Sequence, residues 1–298
     1  RLLLAAALLA LASGAPAEDE VGSLPGWSDP LPSKWYSGYI DSGKTPQGHA
    51  MHSHYVTVLC EKDPSTCPVM FWFQGGPGAS SLFGLFVELG GLVFTGDSLP
   101  PGPSGVPSLQ RNAFGWSAQA TIVAISAPPP VGFSYCDGPN AGPSGNGYSC
   151  GDWDDERTAA ANAQAIASWA AKFPELAKLP TYIVGESYAG VYVPTLAAEL
   201  LKRGSPVNFV GIGIGDGCTP PASCPVGGGG WPVFWLDFLH GHAAMSELTY
   251  QKVVGICGAQ LAQSTQSQAC KAALTEAYNE AGGFYEYGYY DDCDHSGE

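Results

Sequence analysis

A serine becomes a useful nucleophile only where the backbone exposes it and a base can reach it. Ser187 lies in Thr181-Tyr-Ile-Val-Gly-Glu-Ser-Tyr-Ala-Gly190. The apolar run Tyr182-Ile183-Val184 reads as a buried strand, and Gly185 breaks it. Val191 to Arg203 reads as a helix, ended by Gly204. A serine at a tight turn between strand and helix is a nucleophile elbow, which lifts its Oγ above the sheet edge. Strand and helix come close at such a turn, so small residues must flank the serine. Gly185 and Ala189 take those places, which meets G-x-S-x-G with one alanine substitution. A serine in an ordinary strand–helix turn is the alternative at this point.

Acyl transfer also needs two N–H donors aimed at the developing oxyanion. One donor follows the nucleophile, and the other lies on the loop after an earlier strand. Val69-Met-Phe-Trp-Phe73 is an apolar run that reads as a central strand covered on both faces. It leads directly into Gln74-Gly-Gly-Pro-Gly-Ala-Ser-Ser81. Adjacent glycines let backbone N–H groups approach a ligand unobstructed. Gly76 and Tyr188 are therefore the candidate donors. The alternative is a turn that only redirects the chain. A dinucleotide loop is not expected, because G-x-G-x-x-G is absent.

The elements that must hold these groups alternate in type. Strands are predicted over Trp35–Ile40, His54–Leu59, Val69–Phe73, Thr121–Ile125, Tyr182–Val184 and Val207–Ile214. Helices are predicted from Ser81 to Glu88, from Asp154 to Phe173 and after Ser187. This pattern predicts an α/β fold with a mostly parallel central sheet and flanking helices. Residues from about 227 to 290 differ. Trp231 to His240, Met245 to Ile256 and Gln260 to Ala281 read as helices with no strand between them. Such an insertion is expected to sit over the site as a cap.

Composition narrows the context. Among 298 residues there are 40 glycines and 25 prolines, and only 13% are charged, which fits a globular domain with long loops. The net charge of -15 argues against a nucleic-acid partner. Residues 1–17 combine a basic start, a short apolar run and Ala15-x-Ala17, which reads as a secretory signal peptide. An uncleaved anchor is the alternative, although the run is short for a bilayer. Nine cysteines fit an oxidising compartment. Loops Cys60–Cys67, Cys136–Cys150 and Cys218–Cys224 are plausible, but sequence leaves the connectivity open. There is no N-x-[ST] sequon, no zinc-type cysteine spacing and no nucleotide motif, so no metal or other cofactor is expected.

Taken in order, several stretches resemble the serine carboxypeptidase family. They are Trp72-Phe-Gln-Gly-Gly-Pro-Gly-Ala-Ser-Ser81 with Glu88-Leu-Gly90, Asn112 to Trp116, Pro130-Val-Gly-Phe-Ser-Tyr135, Gly185-Glu-Ser-Tyr-Ala-Gly-Val-Tyr-Val-Pro194 and Gly213-Ile-Gly-Asp-Gly217. The resemblance implies an α/β-hydrolase fold and a peptidase domain over residues 18–298. It implies Ser187 as nucleophile and the amides of Gly76 and Tyr188 as the oxyanion hole. Glu88 and Glu186, with Gln74 and Gly75, would hold the substrate's terminal carboxylate. Gln74 stands where the family usually has Asn, Ala79 where it has Cys, Ser126 where it has Asp, and Asp216 where it has Asn. Without a cysteine at 79 one family disulfide cannot form, which leaves its partner unpaired and agrees with the odd count.

The family's catalytic Asp and His follow the cap, and its strands there have no counterpart through Glu298. The resemblance implies that they lie beyond this residue. Asp291, Asp292, Asp294 and His295 have no following strand to position them as substitutes. His49, His52, His54, His240 and His242 read as surface or structural residues. The reading is a serine carboxypeptidase acting on peptide or protein C-termini in the secretory pathway, outside the cell or in a vacuole or lysosome lumen. No membrane partner is expected after signal cleavage. An acyltransferase on the same fold, or a non-catalytic binding protein if the chain ends at Glu298, are the alternatives. The paired glutamates imply tighter substrate binding in acid, because a carboxylate meets another favourably only through a shared proton.

Overall fold

The structure, a computed structural model, describes residues 15–98, 105–138, 150–219, 231–263 and 265–282. The chain divides into two compact units, Arg1–Gly217 and Cys218–Glu298. In the first, strands β1 (Glu20–Val21), β2 (Trp35–Lys44), β3 (Ala50–Val58), β4 (Val69–Phe73), β5 (Leu92–Val93), β6 (Gln110–Arg111), β7 (Thr121–Ile125), β8 (Tyr135–Cys136), β9 (Thr181–Glu186) and β10 (Phe209–Gly215) alternate with helices α1 (Asp155–Lys172) and α2 (Ala189–Arg203). The main sheet runs β1-β2-β3-β7-β4-β9-β10, with β8 on β3, while β5 and β6 pair separately. Strands β7, β4, β9 and β10 are mutually parallel, and β1 to β3 are antiparallel. This is the sheet expected of an α/β-hydrolase fold.

The core follows from the two-residue period of the strands. Phe71 and Phe73 of β4 face one side with Val123, Ile125 and Ile183, under Ile166 and Trp169 of α1 and Val193 and Leu196 of α2. Trp72 faces the other side with Ile122, Ala124, Val56 and Trp35. Trp169 meets Phe71 edge to face at 4.9 Å, and its indole N–H donates to Thr57 Oγ1 at 2.9 Å. Asp154 caps α1 by accepting from Arg157 N–H at 2.7 Å, with Asp155 and Glu156 in the first turn.

Strands β2 and β3 run to Lys44 and from Ala50, beyond the predicted Ile40 and His54, and two helical spans differ in kind. Residues Gly84–Glu88 form a π-helical turn rather than a plain helix from Ser81. The span from Gln260 to Ala281 is broken, because Ser267 caps a new helix by accepting from Cys270 N–H. The second unit accordingly contains α3 (Trp231–Gly241), α4 (Glu247–Cys257) and α5 (Gln268–Ala281) around Leu236, Leu239 and Val253.

Disulfides join Cys60 to Cys67 and Cys136 to Cys150, as the spacing suggested. Cys257 and Cys270 also pair, and tie α4 to α5. Cys218 is disulfide-bonded. Its expected mate Cys224 lies outside the described residues, as do Asp291, Asp292, Asp294 and His295. No described helix is long and apolar enough to cross a membrane.

The last strand of the described sheet is only partly covered. Val210, Ile212 and Ile214 alternate along β10 and are 51%, 47% and 39% exposed. An apolar strand at a sheet edge invites pairing between molecules. Ile212→Lys in the 298-residue chain should therefore reduce light scattering on concentration while changing unfolding free energy by less than about 0.5 kcal/mol. Unchanged scattering would show that association runs through another surface.

Candidate active site

Ser187 follows directly on β9 and precedes α2. Its φ is 60°, the left-handed region that a residue with a side chain rarely occupies. The turn is pinned from two directions. Ser187 N–H donates to the carbonyl of Gly215 on β10 at 3.0 Å, and Gly190 N–H donates back to Ser187 O at 2.9 Å. Small neighbours are required. A Cβ on Gly185 would lie 2.3 Å from Phe73 O and 2.5 Å from Ala189 Cβ.

The glycine loop after β4 presses against this turn. A Cβ on Gly75 would lie 2.5 Å from Tyr188 N and 2.8 Å from Ser187 Cβ. Gly76 has a φ of 111°, and a Cβ there would collide with the amides of Gly78 and Ala79, both at 2.7 Å. Among the described residues, no hydrogen bond uses the N–H of Gly76 or of Tyr188. Two free amides beside an exposed serine are what an oxyanion site requires.

A second group of polar atoms flanks the serine. Trp72 Nε1–H donates to Gln74 Oε1 at 2.9 Å, which fixes the orientation of the Gln74 amide. Its Nε2 then donates to Glu186 Oε2 at 2.9 Å and reaches Glu88 Oε1 at 3.4 Å. Gly84 must lack a side chain, since a Cβ would lie 2.2 Å from Trp72 Nε1 and 2.6 Å from Gln74 Oε1. Asn112 Nδ2 donates to the carbonyls of Glu88 and Gly90 at 3.3 and 3.0 Å, and so holds the end of the π turn. Partial burial, then the neighbouring Glu186 charge and the hydrogen bond with Glu186, push the Glu88 carboxyl up to about 7, against the Gln74 contact that lowers it.

All seven site residues predicted from sequence belong to these two adjoining groups. Trp72, Gly84 and Asn112 had no assigned role. Trp72 carries the clearest signal, because a buried indole N–H needs an acceptor. The histidines of the first unit are elsewhere. His54 bonds Ser37 Oγ through Nε2 at 3.0 Å, and burial pushes its pKa down. It lies on β3, three strand positions from β9, or about 14 Å at ordinary strand spacing. His52 pairs with Asp137 at 3.2 Å, and His49 N–H donates to Thr45 Oγ1 at 3.2 Å. In the second unit His240 pairs with Glu247 at 2.6 Å, and His242 Nδ1 bonds Phe238 O at 2.8 Å.

A family model described as serine carboxypeptidase matches residues 25–298. Serine carboxypeptidase 1 of Hordeum vulgare is 34% identical over 288 residues, covering 95% of this chain and 53% of that protein. Serine carboxypeptidase-like 20 of Arabidopsis thaliana is 31% identical over 290 residues, 96% of this chain and 54% of that one. The lysosomal protective protein of Mus musculus is 34% identical over 203 residues, 68% and 38% of the two chains. This chain thus spans about half the length of the curated plant relatives it matches. The crystal structure of Kex1(Δ)p, a prohormone-processing carboxypeptidase from Saccharomyces cerevisiae, superposes with a TM-score of 0.64 at 19% identity, over 92% of this chain and 59% of that one. That likeness speaks to the fold alone.

The left-handed Ser187 backbone makes a prediction independent of any substrate. Ser187→Gly and Ser187→Ala both delete the hydroxyl, but only glycine accepts the φ of 60° freely. The glycine variant should be more stable than the alanine variant by about 1 kcal/mol in urea unfolding. Equal stabilities would mean that the turn relaxes out of the left-handed region.

Proposed function

Because this chain belongs to the serine carboxypeptidase family, we propose that Ser187 hydrolyses the last peptide bond of peptide or protein substrates. Its Oγ attacks the scissile carbonyl, and the oxyanion is received by the N–H groups of Gly76 and Tyr188. The carbon–nitrogen bond breaks, the C-terminal amino acid leaves with a proton, and an ester to Ser187 remains for water to cleave. The reaction needs a histidine base, which is assigned to no residue numbered here.

The observation that carries the carboxypeptidase reading is one amide, Gln74, shared between the carboxyls of Glu88 and Glu186, with Glu186 adjacent to the nucleophile. A general hydrolase has no use for two acids there. A substrate carboxylate would accept from Gly75 N–H, from a protonated glutamate, and from Gln74 Nε2 in place of its longer contact with Glu88. Because Glu186 is the residue next to Ser187, a terminal carboxylate held there would lie close to the attacked carbonyl, so the site would select the last bond. The disulfides Cys60–Cys67, Cys136–Cys150 and Cys257–Cys270, the secretory reading of residues 1–17 and a lysosomal relative support a lumenal or extracellular location.

The sign of the pH effect follows from Glu88. Its carboxyl sits near 7 rather than at the ordinary 4.5, so it is a hydrogen-bond donor below about 7 and a repelling charge above. KM for a peptide with a free C-terminus should be lowest in acid and rise through pH 7, by up to about tenfold per unit, with kcat less affected. Glu88→Gln, which keeps a donor without a titrating proton, should flatten the rise. A parent profile that is already flat would remove Glu88 from carboxylate binding. The same shift bears on stability. The folded state holds an extra proton between 4.5 and about 7, so its contribution is full below 4.5 and is lost as pH rises through about 7.

The activity itself is tested with paired peptides in the full-length protein. Release of the last amino acid should need a free terminal carboxylate and should vanish with C-terminal amidation or Ser187→Ala. Transfer of the acyl group from an activated ester to an alcohol, without peptide hydrolysis, would replace the peptidase reading with acyl transfer.

A further inference from the structure

Tyr192 lies in the first turn of α2, and its side chain is 4% exposed. A buried phenol seeks a partner for its oxygen. This one accepts from Gly78 N–H at 3.2 Å, across 114 residues of sequence. Gly78 belongs to the loop after β4, and that loop closes on itself where Ala79 N–H donates to Gly75 O at 3.1 Å. Gly76 sits inside the closed turn. At its other side the Tyr192 ring packs edge-on against Tyr188, with centroids 5.1 Å apart and planes at 76°. Tyr192 N–H also donates to Tyr188 O at 3.3 Å.

One side chain therefore touches both halves of the candidate oxyanion site. The loop has little else to hold it at this point. A Cβ on Gly78, whose φ is 89°, would find only Val131 Cγ2, at 3.9 Å. Packing leaves Gly78 loose, and the hydrogen bond is its anchor to α2. The phenol suits this role over a wide pH range, because burial pushes its ionisation up to about 12 and keeps it neutral.

We infer that Tyr192 is a positioning residue for the reaction proposed above: its hydroxyl fastens the Gly75–Ala79 turn to the start of α2, so that the Gly76 and Tyr188 amides converge on one oxyanion. Tyr192 touches no reacting atom. It acts through Gly78 on one side and Tyr188 on the other, and it rests on the reading of Ser187 as nucleophile.

Tyr192→Phe in the full-length protein keeps the ring and deletes the tether. Hydrogen exchange at the Gly78 amide should accelerate at least about tenfold, since its acceptor is gone. Hydrolysis should lose about tenfold in kcat with KM unchanged, the pattern of an interaction made only in the transition state. Labelling of Ser187 by a fluorophosphonate should slow in parallel, and the thermal midpoint should stay within about 2 °C of the parent. Unchanged exchange at Gly78, an unchanged kcat, or a rise in KM alone would overturn the inference. Should the parent protein neither hydrolyse peptides nor label at Ser187, the peptidase reading fails by itself, and the exchange result still decides whether the tether exists.

Discussion

Backbone must meet backbone where β4 and β9 end, and that contact is what the first unit is built around. Gly75 abuts Tyr188 N, and Gly185 abuts Phe73 O; neither position has room for a single methyl group. The cost is a left-handed serine and a run of glycines that disfavour folding when taken alone. The compensation is the sheet beneath. Phe71 and Phe73 are fixed under α1 and α2, and Thr181 and Ile183 are fully buried, so the two strand ends cannot drift apart. A strained turn persists only where its surroundings over-determine it.

The strand period divides the labour along β4. Phe71 and Phe73 build one core, while Trp72 points to the other face and donates its indole N–H to Gln74. The orientation of one amide is thereby set by a core residue two positions earlier. That amide decides which way its N–H groups point, and so how Glu88 and Glu186 are held. The carboxyl pair is thus an extension of the hydrophobic core rather than a separate surface feature. Asn112, held on the chain after β6, completes the support by fastening the carbonyls at the end of the π turn.

Much of this was legible in the sequence because it is local. The strand Val69–Phe73, the elbow at Ser187, the acids opening α1 and the Cys60–Cys67 and Cys136–Cys150 loops each lie within a short window. What stayed hidden depends on partners distant in sequence. Residues 84–88 carry an ordinary apolar pattern; the close packing of Gly84 on Trp72 and Gln74, and the Asn112 tether, appear only with the sheet in place. Tyr192 looks like any core aromatic in an amphipathic helix until Gly78 arrives from the loop after β4. The helix predicted from Gln260 to Ala281 failed for a different reason. Its periodicity is continuous, but Ser267 finds a better use for its hydroxyl as a cap.

β10 joins these threads. Gly211, Gly213 and Gly215 leave one of its faces without side chains, and Tyr182 and Val184 of β9 lie close over Gly211 and Gly213. Its other face is partly bare to solvent. The strand is therefore held to the sheet by its ladder far more than by buried area, which makes it prone to open without global unfolding. Yet Gly215 O is the acceptor for Ser187 N–H. Fraying of this edge and relaxation of the nucleophile turn are then one event. Whatever packs on or pairs with β10 acts on the serine from a distance, by suppressing a local opening rather than by touching the site.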